Sequence, residues 1–314
     1  MNKRPIIIDC DTGHDDAIAL LLALGSPEVE LKAVTTTAGN NVVDKTFHNT
    51  LKVLSHIGVT DIPVAKGAES FFFQPHKIAD HVHGDSGLDG PELAEPSFGG
   101  VKLSAVELIE KTVRENAEKI TLCPMGPLTN IATFVLSCPD LLPKIERISF
   151  MGGSAVGGNA SPVAEFNTWQ DPEAAQIVLK SGVPITMCSL DATFDAYITA
   201  EEKERFRQIG NKAGILTAEL LDFFGKFHAK VGNKGAPMHD ACAVAAVINP
   251  ALFEMKRANV SMDLNGTFTR GCTTTDITGV TGRKQNCDVT FGVDREAFVE
   301  LLYSACLLYT SRCV

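Results

Sequence analysis

Short apolar runs rich in β-branched residues alternate with amphipathic stretches through the first two thirds of the chain. The apolar runs predict strands at 5–8, 29–36, 62–65, 119–123, 147–151 and 183–188, and the intervening stretches predict helices at 15–24, 43–57, 104–116, from about 127, and at 172–180. Strands that are apolar on both faces and separated by helices are typical of a mostly parallel sheet covered on both sides. We therefore predict an α/β fold with an open, Rossmann-like sheet and right-handed crossovers.

The last third of the chain has a different pattern. From about residue 200 it is mainly helical, including 213–230 and 239–247, and a β-rich piece at 259–292 precedes a helix at 294–306. No repeat, low-complexity segment or linker divides the sequence, so we expect a single domain over 1–314 with a helical and β-rich C-terminal part. Residues 307–314 do not continue the last helix obviously, and we expect a frayed or non-native tail there.

Charge and cysteine usage exclude several classes of protein. A net charge of −10 argues against unspecific binding to nucleic acid, which requires a basic face. The nine cysteines form no C-x-x-C pair, which argues against a disulfide framework or a thiolate zinc site and favours reduced thiols. The most apolar run, 17–24, is too short to cross a bilayer, and little sequence precedes the first strand for a signal peptide. We expect a cytoplasmic protein with neither membrane nor nucleic acid as partner.

Four carboxylates lie within eight residues where the first strand gives way to a helix: Asp9, Asp11, Asp15 and Asp16. Carboxylates this close raise one another's pKa unless a cation or hydrogen-bond donors compensate. Capping of the helix explains one or two of them, but four favour a metal site. Oxygen ligands without paired histidines or thiolates suit Ca²⁺ or Mg²⁺.

Polar residues also follow the later strands, at 123–130, 151–153, 159–167 and 238–241. Turns and helix caps are the ordinary explanation of each segment taken alone. Ligands of open parallel sheets bind beyond the carboxyl ends of the strands, however, and these segments fall at successive strand ends. Together they predict a ligand site at that edge.

The same segments carry a family resemblance. DCDTGHDDAIAL at 9–20, TAGN at 37–40, HVHG at 81–84, PMGPLTN at 124–130, AEFN at 164–167 and MHD at 238–240 resemble, in order, the motifs of the inosine-uridine nucleoside hydrolase family. The resemblance extends along nearly the whole chain. It implies hydrolysis of the N-glycosidic bond of ribonucleosides, Ca²⁺ as cofactor and a homodimer or homotetramer.

The resemblance also implies roles for individual residues. Asp11, Asp16, Asp240 and the main-chain carbonyl of Met125 would be calcium ligands; Asp15 would bind a ribose hydroxyl; Asn40, Asn159, Glu165 and Asn167 would hold the rest of the sugar, with Met151 packed beside it; His83 and His239 would lie near the base. A lone histidine is more often structural than functional, and only the motif context favours function here. The implied mechanism has Asp11 as general base for a water held by the calcium ion and His239 as acid for the departing base.

The base preference is the open part of this interpretation. HGDSGLDG at 83–90 resembles bacterial members that favour uridine and cytidine, and Phe227 and His228 are plausible base contacts. We predict pyrimidine ribonucleosides, with purine or broad specificity as the alternative. An aspartate-nucleophile phosphatase, which shares the D-x-D-x-T opening, and a non-catalytic nucleoside-binding protein are further alternatives.

The opening motif departs from the family at one position, because Thr12 stands where proline is usual. Proline would stiffen the turn that aims Asp11. We expect threonine to leave that turn looser and to weaken metal affinity without abolishing it.

Overall fold

A computed structural model describes residues 3–309, and most of its strands form one nine-stranded sheet. The strands are β1 (Arg4–Cys10), β2 (Val29–Thr36), β3 (Val64–Lys66), β4 (Ile120–Pro124), β5 (Ile145–Met151), β6 (Ile185–Cys188), β7 (Tyr197–Ile198), β8 (Ala236–Pro237), β9 (Phe253–Met262), β10 (Thr273–Asp276) and β11 (Cys287–Val293). The sheet order is β10-β9-β11-β6-β5-β4-β1-β2-β3, and β7 pairs with β8 in a separate ribbon. Strand β9 runs antiparallel to both of its neighbours, β10 and β11, and the other adjacent pairs in the sheet are parallel. The predicted mostly parallel α/β sheet is confirmed.

The helices cover both faces of this sheet. They are α1 (His14–Gly25), α2 (Val43–His56), α3 (Asp80–His83), α4 (Ala105–Glu115), α5 (Thr129–Ser137), α6 (Phe166–Gln170), α7 (Pro172–Leu179), α8 (Leu190–Thr193), α9 (Ala200–Gln208), α10 (Lys212–Lys230), α11 (His239–Ile248) and α12 (Arg295–Leu308). Local sequence sets several of the starts. Ser104 and Glu107 form a capping box at α4, and Thr199 and Glu202 form another at α9.

Two apolar layers follow from the alternation of side chains along the strands. Ile6 and Ile8 of β1 face the layer that holds α1, α2, α10, α11 and α12, whereas Ile7 faces the layer with α4, α5 and α7. Helix α1 is buried along its whole length, from His14 to Gly25. It lies inside the first layer rather than on the surface, and this explains why its sequence is apolar all round.

The strand order places a crevice next to β1. Strands β1, β2 and β3 follow one another towards one side, and β4, β5 and β6 follow towards the other, so the connections diverge between β1 and β4. This divergence is the topological switch point at which open α/β sheets bind ligands. The backbone N–H of Met125, just after β4, donates to the carbonyl of Asp9 at 2.7 Å and holds the two strand ends together.

The β-rich piece of the C-terminal third belongs to the main sheet, because β11 pairs in parallel with β6 and extends that sheet. The expectation of a tail from residue 307 is wrong for its first residues, since α12 continues to Leu308 and the Tyr309 hydroxyl donates to the Ile57 carbonyl. Residues 310–314 lie outside the described part of the chain.

The structure of residues 3–309 bears on two exclusions made from the sequence, a disulfide framework and a membrane-spanning helix. All eight cysteines between residues 3 and 309 are free thiols, in agreement with the prediction against a disulfide framework. No helix in the same range is both long enough and apolar enough to cross a membrane.

Candidate active site

A cavity of about 410 Å³ opens at the carboxyl edge of the sheet, over the switch point. This volume lies in the range of small-molecule sites. Thirteen of the residues singled out from sequence line it: Asp11, Asp15, Asn40, His83, Met125, Met151, Asn159, Glu165, Asn167, Phe227, His228, His239 and Asp240. Asp16 is fully buried against this group and does not reach the cavity wall.

Carboxylates from two helix starts form the acidic end of the cavity. Oxygens of Asp15, Asp16 and Asp240 lie within 4.8 Å of one another. Asp16 also caps its own helix, because its two oxygens accept the backbone N–H groups of Asp11 at 3.1 Å and Gly13 at 2.9 Å. The capping and metal-binding interpretations of this cluster are therefore compatible, since each carboxylate oxygen has a second lone pair.

Asp11 is held by the turn after β2. Its Oδ2 accepts the backbone N–H of Asn40 at 2.6 Å, and the Asn40 side chain donates to Asp11 and Asp16 at 3.3 Å each. A Cβ on Gly39 would lie 2.0 Å from Asp11 Oδ2, so only glycine permits this approach. Asp11 is not one of the three carboxylates that meet within 4.8 Å, and it flanks them.

The acidic end lacks compensating positive charge. Burial raises the pKa of Asp11 and Asp240 well above the ordinary value, and neighbouring carboxylates add to both shifts. Burial and the charge of Asp16 raise the pKa of Asp15 to about 7. No lysine or arginine is among the described residues that line the cavity. A divalent cation with a preference for oxygen fits this donor set, whereas a phosphoaspartate enzyme would require a lysine there.

A second wall carries groups that suit a sugar. Glu165 caps α6 and accepts three backbone N–H groups, from Gly153 at 2.9 Å, Asn167 at 2.8 Å and Thr168 at 3.1 Å. The Asn167 amide donates to the carbonyl of Met125 at 2.6 Å. Asn159 accepts from the Phe166 backbone through Oδ1, which leaves its NH₂ group available at the exposed mouth.

Imidazoles and aromatic rings form another part of the lining. His239 starts α11, its Nδ1 lies 2.7 Å from the Thr193 hydroxyl, and its ring meets Phe194 edge-on. Burial lowers the pKa of His239 to about 3, with a smaller effect of His228. His83 lies 3.0 Å from His14 between their Nδ1 atoms, and burial lowers its pKa well below the usual range. These imidazoles are neutral at physiological pH.

The end of α10 closes this aromatic wall. Phe224 and Phe227 flank His228, with ring centroids 4.4 and 5.2 Å from the imidazole. Asn233 donates its side-chain amide to His228 Nδ1 at 2.9 Å and its backbone N–H to the His228 carbonyl at the same distance. Phe227 and His228, the plausible base contacts, therefore both line the cavity.

Side-chain contacts anchor the turn at Thr12, which stands where proline is usual. Thr12 is buried, its hydroxyl lies 2.6 Å from the Thr50 hydroxyl of α2, and its carbonyl accepts from Asn49 at 3.3 Å. The expected looseness of the turn and the expected weakening of metal affinity stay predictions.

Several cavity residues were not singled out from sequence. Phe194, Phe224 and Asn233 line the cavity, and Thr193 and His14 contact two of its four histidines, His239 and His83. His14 belongs to the opening motif and could have been noticed as a titratable residue on a buried helix. The others carry no local signal, because their positions depend on how α8 and α10 pack.

Comparisons with known proteins agree with this geometry. The model of one protein family, described as inosine-uridine preferring nucleoside hydrolase, matches residues 6–300. The chain is 50% identical over 310 residues to the pyrimidine-specific ribonucleoside hydrolase RihA of Shewanella sp. (strain ANA-3), which covers 98% of both chains. It is 49% identical over 300 residues to the same-named protein of Escherichia coli O7:K1, with 95% of this chain and 96% of the relative covered.

A solved structure gives the same fold. The purine-preferring ribonucleoside hydrolase from Gardnerella vaginalis superimposes with a TM-score of 0.92 at 32% identity, and the match covers 98% of this chain and all of that one.

Proposed function

Because this chain belongs to the inosine-uridine preferring nucleoside hydrolase family and is a ribonucleoside hydrolase, we propose that it favours pyrimidine ribonucleosides and depends on Ca²⁺. The observation that carries the proposal is a cavity lined both by buried carboxylates and by neutral imidazoles among aromatic rings. A ribonucleoside has matching chemistry, with a diol for the carboxylates and a flat base for the rings.

The relatives support the pyrimidine preference. Proteins named as pyrimidine-specific are 49 to 50% identical to this chain, whereas the purine-preferring structure is 32% identical. Phe227 and His228 offer a ring face and an imidazole to a base of either kind. Purine or broad specificity therefore remains the alternative that the assay must separate.

The acidic end would hold the cation and the diol. Asp11, Asp16, Asp240 and the Met125 carbonyl are the proposed ligands, and a bound Ca²⁺ would supply a Lewis acid that orients water and the two ribose hydroxyls. Asp15 is proposed to accept a hydrogen bond from a ribose hydroxyl, although its carboxylate also lies within the cluster of possible ligands. Oxygen ligands in this number suit Ca²⁺ better than Mg²⁺, which keeps more of its own water.

We assign the remaining roles to residues expected to surround the anomeric carbon of the ribose. Asp11 is proposed to take the proton of the attacking water at its carboxylate, which the Asn40 backbone N–H aims. Asn40, Asn159, Glu165 and Asn167 would contact the sugar and strengthen those contacts as positive charge develops on the ring. Met151, buried beside Asn167, would pack against the sugar.

His239 is proposed to assist departure of the base. Burial keeps its imidazole neutral at physiological pH, so it would act through one ring N–H as a hydrogen-bond donor rather than as an imidazolium. Thr193 occupies Nδ1, which leaves Nε2 as the atom available to the leaving group. Different residues of one cavity would thus activate the water and assist departure of the base, as attack by water on the face opposite the leaving base requires.

Release of reducing ribose from uridine, cytidine, inosine and adenosine tests the proposal, with and without a calcium chelator. Chelator-sensitive release that ranks both pyrimidines first supports every part of it. Asp240→Asn should lose most activity, and the matched control Asp44→Asn, an exposed carboxylate that does not line the cavity, should not. Release that resists complete calcium removal would refute the cation, and purines ahead of uridine would refute the base preference.

Two further outcomes are diagnostic. 2′-Deoxyuridine removes one of the hydroxyls that the acidic end would hold, and we expect much slower release than from uridine. Binding of uridine without any release would establish a non-catalytic binding protein. The single-domain organisation, the homodimer or homotetramer and the cytoplasmic location stay predictions.

A further inference from the structure

His14 is fully buried at the start of α1, and its ring is sandwiched in an aromatic stack behind the cavity. The rings of Phe223 and Phe224 lie 5.2 and 5.3 Å from the His14 ring, within 6° of parallel. The cavity reaches His83 but not His14. Its ring contacts two residues that line the cavity, His83 through a hydrogen bond and Phe224 through stacking.

The hydrogen on the His14 ring is placed by a backbone carbonyl. His14 Nε2 lies 2.8 Å from the carbonyl oxygen of Asp89, and a carbonyl can only accept. The ring is buried among phenylalanine rings, and its nitrogens lie next to the Asp89 carbonyl and His83, so no carboxylate of the described residues contacts it to stabilise an imidazolium. The neutral ring has its one hydrogen on Nε2, and Nδ1 of His14 is a lone pair.

The next contact then has only one possible polarity. His14 Nδ1 and His83 Nδ1 are 3.0 Å apart, and two lone pairs at that distance would repel. The hydrogen between them must come from His83. The backbone N–H of His14 also points at His83 Nδ1, but at 3.4 Å it is the longer and weaker contact.

The loop at 83–90 fixes the carbonyl that begins this relay. The Asp89 side chain accepts the backbone N–H groups of Asp85 and Ser86, both at 3.1 Å, and the Asp89 N–H donates to the His83 carbonyl at 3.2 Å. Gly84 adopts a left-handed φ of 78°, and a Cβ there would lie 2.1 Å from Asp89 Oδ2. The sequence HGDSGLDG thus builds a rigid turn that delivers one carbonyl to His14.

We propose, on the basis of the proposed function, that His14 is a positioning residue that fixes the hydrogen of His83 on Nδ1. His83 then presents the Nε2 lone pair to the cavity and accepts a hydrogen bond from an N–H or O–H of the ribonucleoside. It cannot donate to the departing base while the relay is intact. His83 and His239, two of the imidazoles that line the cavity, therefore differ in role, with His83 as acceptor and His239 as donor.

The first test reads the hydrogen position directly. Two-bond ¹H–¹⁵N correlation spectra of the calcium-loaded, ¹⁵N-histidine-labelled protein distinguish the two neutral forms, and a His83→Gln variant assigns the signal. We expect His83 with hydrogen on Nδ1 in the unsubstituted protein and a shift towards Nε2 in His14→Phe. Hydrogen on Nε2 in the unsubstituted protein would overturn the proposal, with no variant needed.

The second test separates the relay from packing by steady-state kinetics with uridine. His14→Phe keeps the ring stack but removes the acceptor, and we expect kcat/KM to fall by roughly ten- to a hundredfold, the effect of a lost hydrogen bond to a functional group. His14→Asn loses the stack but keeps an acceptor oxygen near the position of Nδ1, and we expect it to retain more activity. The control Phe206→Leu, at a buried ring of α9 that does not line the cavity, should lower Tm with kcat and KM unchanged.

The outcomes distinguish the relay from the proposed function. Activity of His14→Phe at or above that of His14→Asn would mean that His14 only packs, and would overturn the relay while leaving hydrolysis intact. Absence of ribose release from the unsubstituted protein would instead refute the proposed function, and the spectra would still decide the position of the hydrogen.

Discussion

Gly13 of the opening motif allows His83 to approach the backbone, and its replacement by alanine is the sharpest test of this geometry. A Cβ at residue 13 would lie 2.6 Å from His83 Nδ1 and 2.7 Å from its Cε1. The Gly13 backbone has φ −109° and ψ −152°, which alanine adopts without strain. Any effect of Gly13→Ala therefore comes from the added methyl group and not from the backbone.

The size of the effect follows from the distances. Ordinary contact with a methyl carbon needs about 3.5 Å, so the His83 ring must move by roughly 1 Å. A shift of that size takes the 3.0 Å contact with His14 outside hydrogen-bond range. Loss of such a bond and misplacement of a functional group each cost about tenfold to a hundredfold. We expect kcat/KM for uridine to fall within that range.

The assay compares ribose release and thermal unfolding of matched variants. Overpacking costs about 1–3 kcal/mol in a closed core, and a ring that can move into a cavity should cost less. Gly99→Ala, where a Cβ meets nothing within 4 Å, is the control and should change neither measurement. In a His83→Ala background, Gly13→Ala should add little. Unchanged kinetics of the single variant, or an equal loss in both backgrounds, would refute the steric argument.

Three other perturbations have definite outcomes. Calcium removal should lower Tm by roughly 5 °C, because a cation at a hundred times its Kd stabilises the folded state by about 2.7 kcal/mol. A Tm that changes neither with chelator nor with added calcium would contradict the metal site. Thr193→Val removes the hydroxyl at His239 Nδ1, and kcat for uridine should fall about tenfold, whereas unchanged kcat would mean that Thr193 does not orient the ring. Gly225 lies in α10, and an added methyl group there would meet open space. Gly225→Ala should therefore stabilise the folded protein by about 0.5–1 kcal/mol in thermal unfolding without altering turnover. A lower Tm would contradict this expectation.

The parts predicted well from sequence are those written into local pattern. Strand β2 was expected at 29–36 and is Val29–Thr36, because its apolar run is bounded by turn residues on both sides. The acidic cluster was evident because Asp11, Asp15 and Asp16 are close in sequence as well as in space. Asp240 joins them only through the packing of α11 on α1, and its place was supplied by the family motif.

The parts not predicted depend on contacts between distant residues. His14 and His83 are 69 residues apart and meet only because the 83–90 loop folds over the start of α1. Thr193 reaches His239 across 46 residues through the short helix α8, which is too brief for its periodicity to be recognised. The partner of the Thr12 hydroxyl could not be named from sequence for the same reason, since Thr50 lies on another helix.

Substitutions are more restricted in the buried helix α1 than at the exposed positions near the end of α10. Asp15 and Asp16 are carried by a helix with no exposed residue, so most substitutions along it would disturb the core and be removed by selection. Phe227 and His228 stand on the last turn of α10, where Lys226, Ala229 and Lys230 are exposed. If Phe227 and His228 contact the base as proposed, a lineage with this architecture could change its base preference by altering the end of one helix, while the carboxylates proposed for bond cleavage stay fixed in the interior.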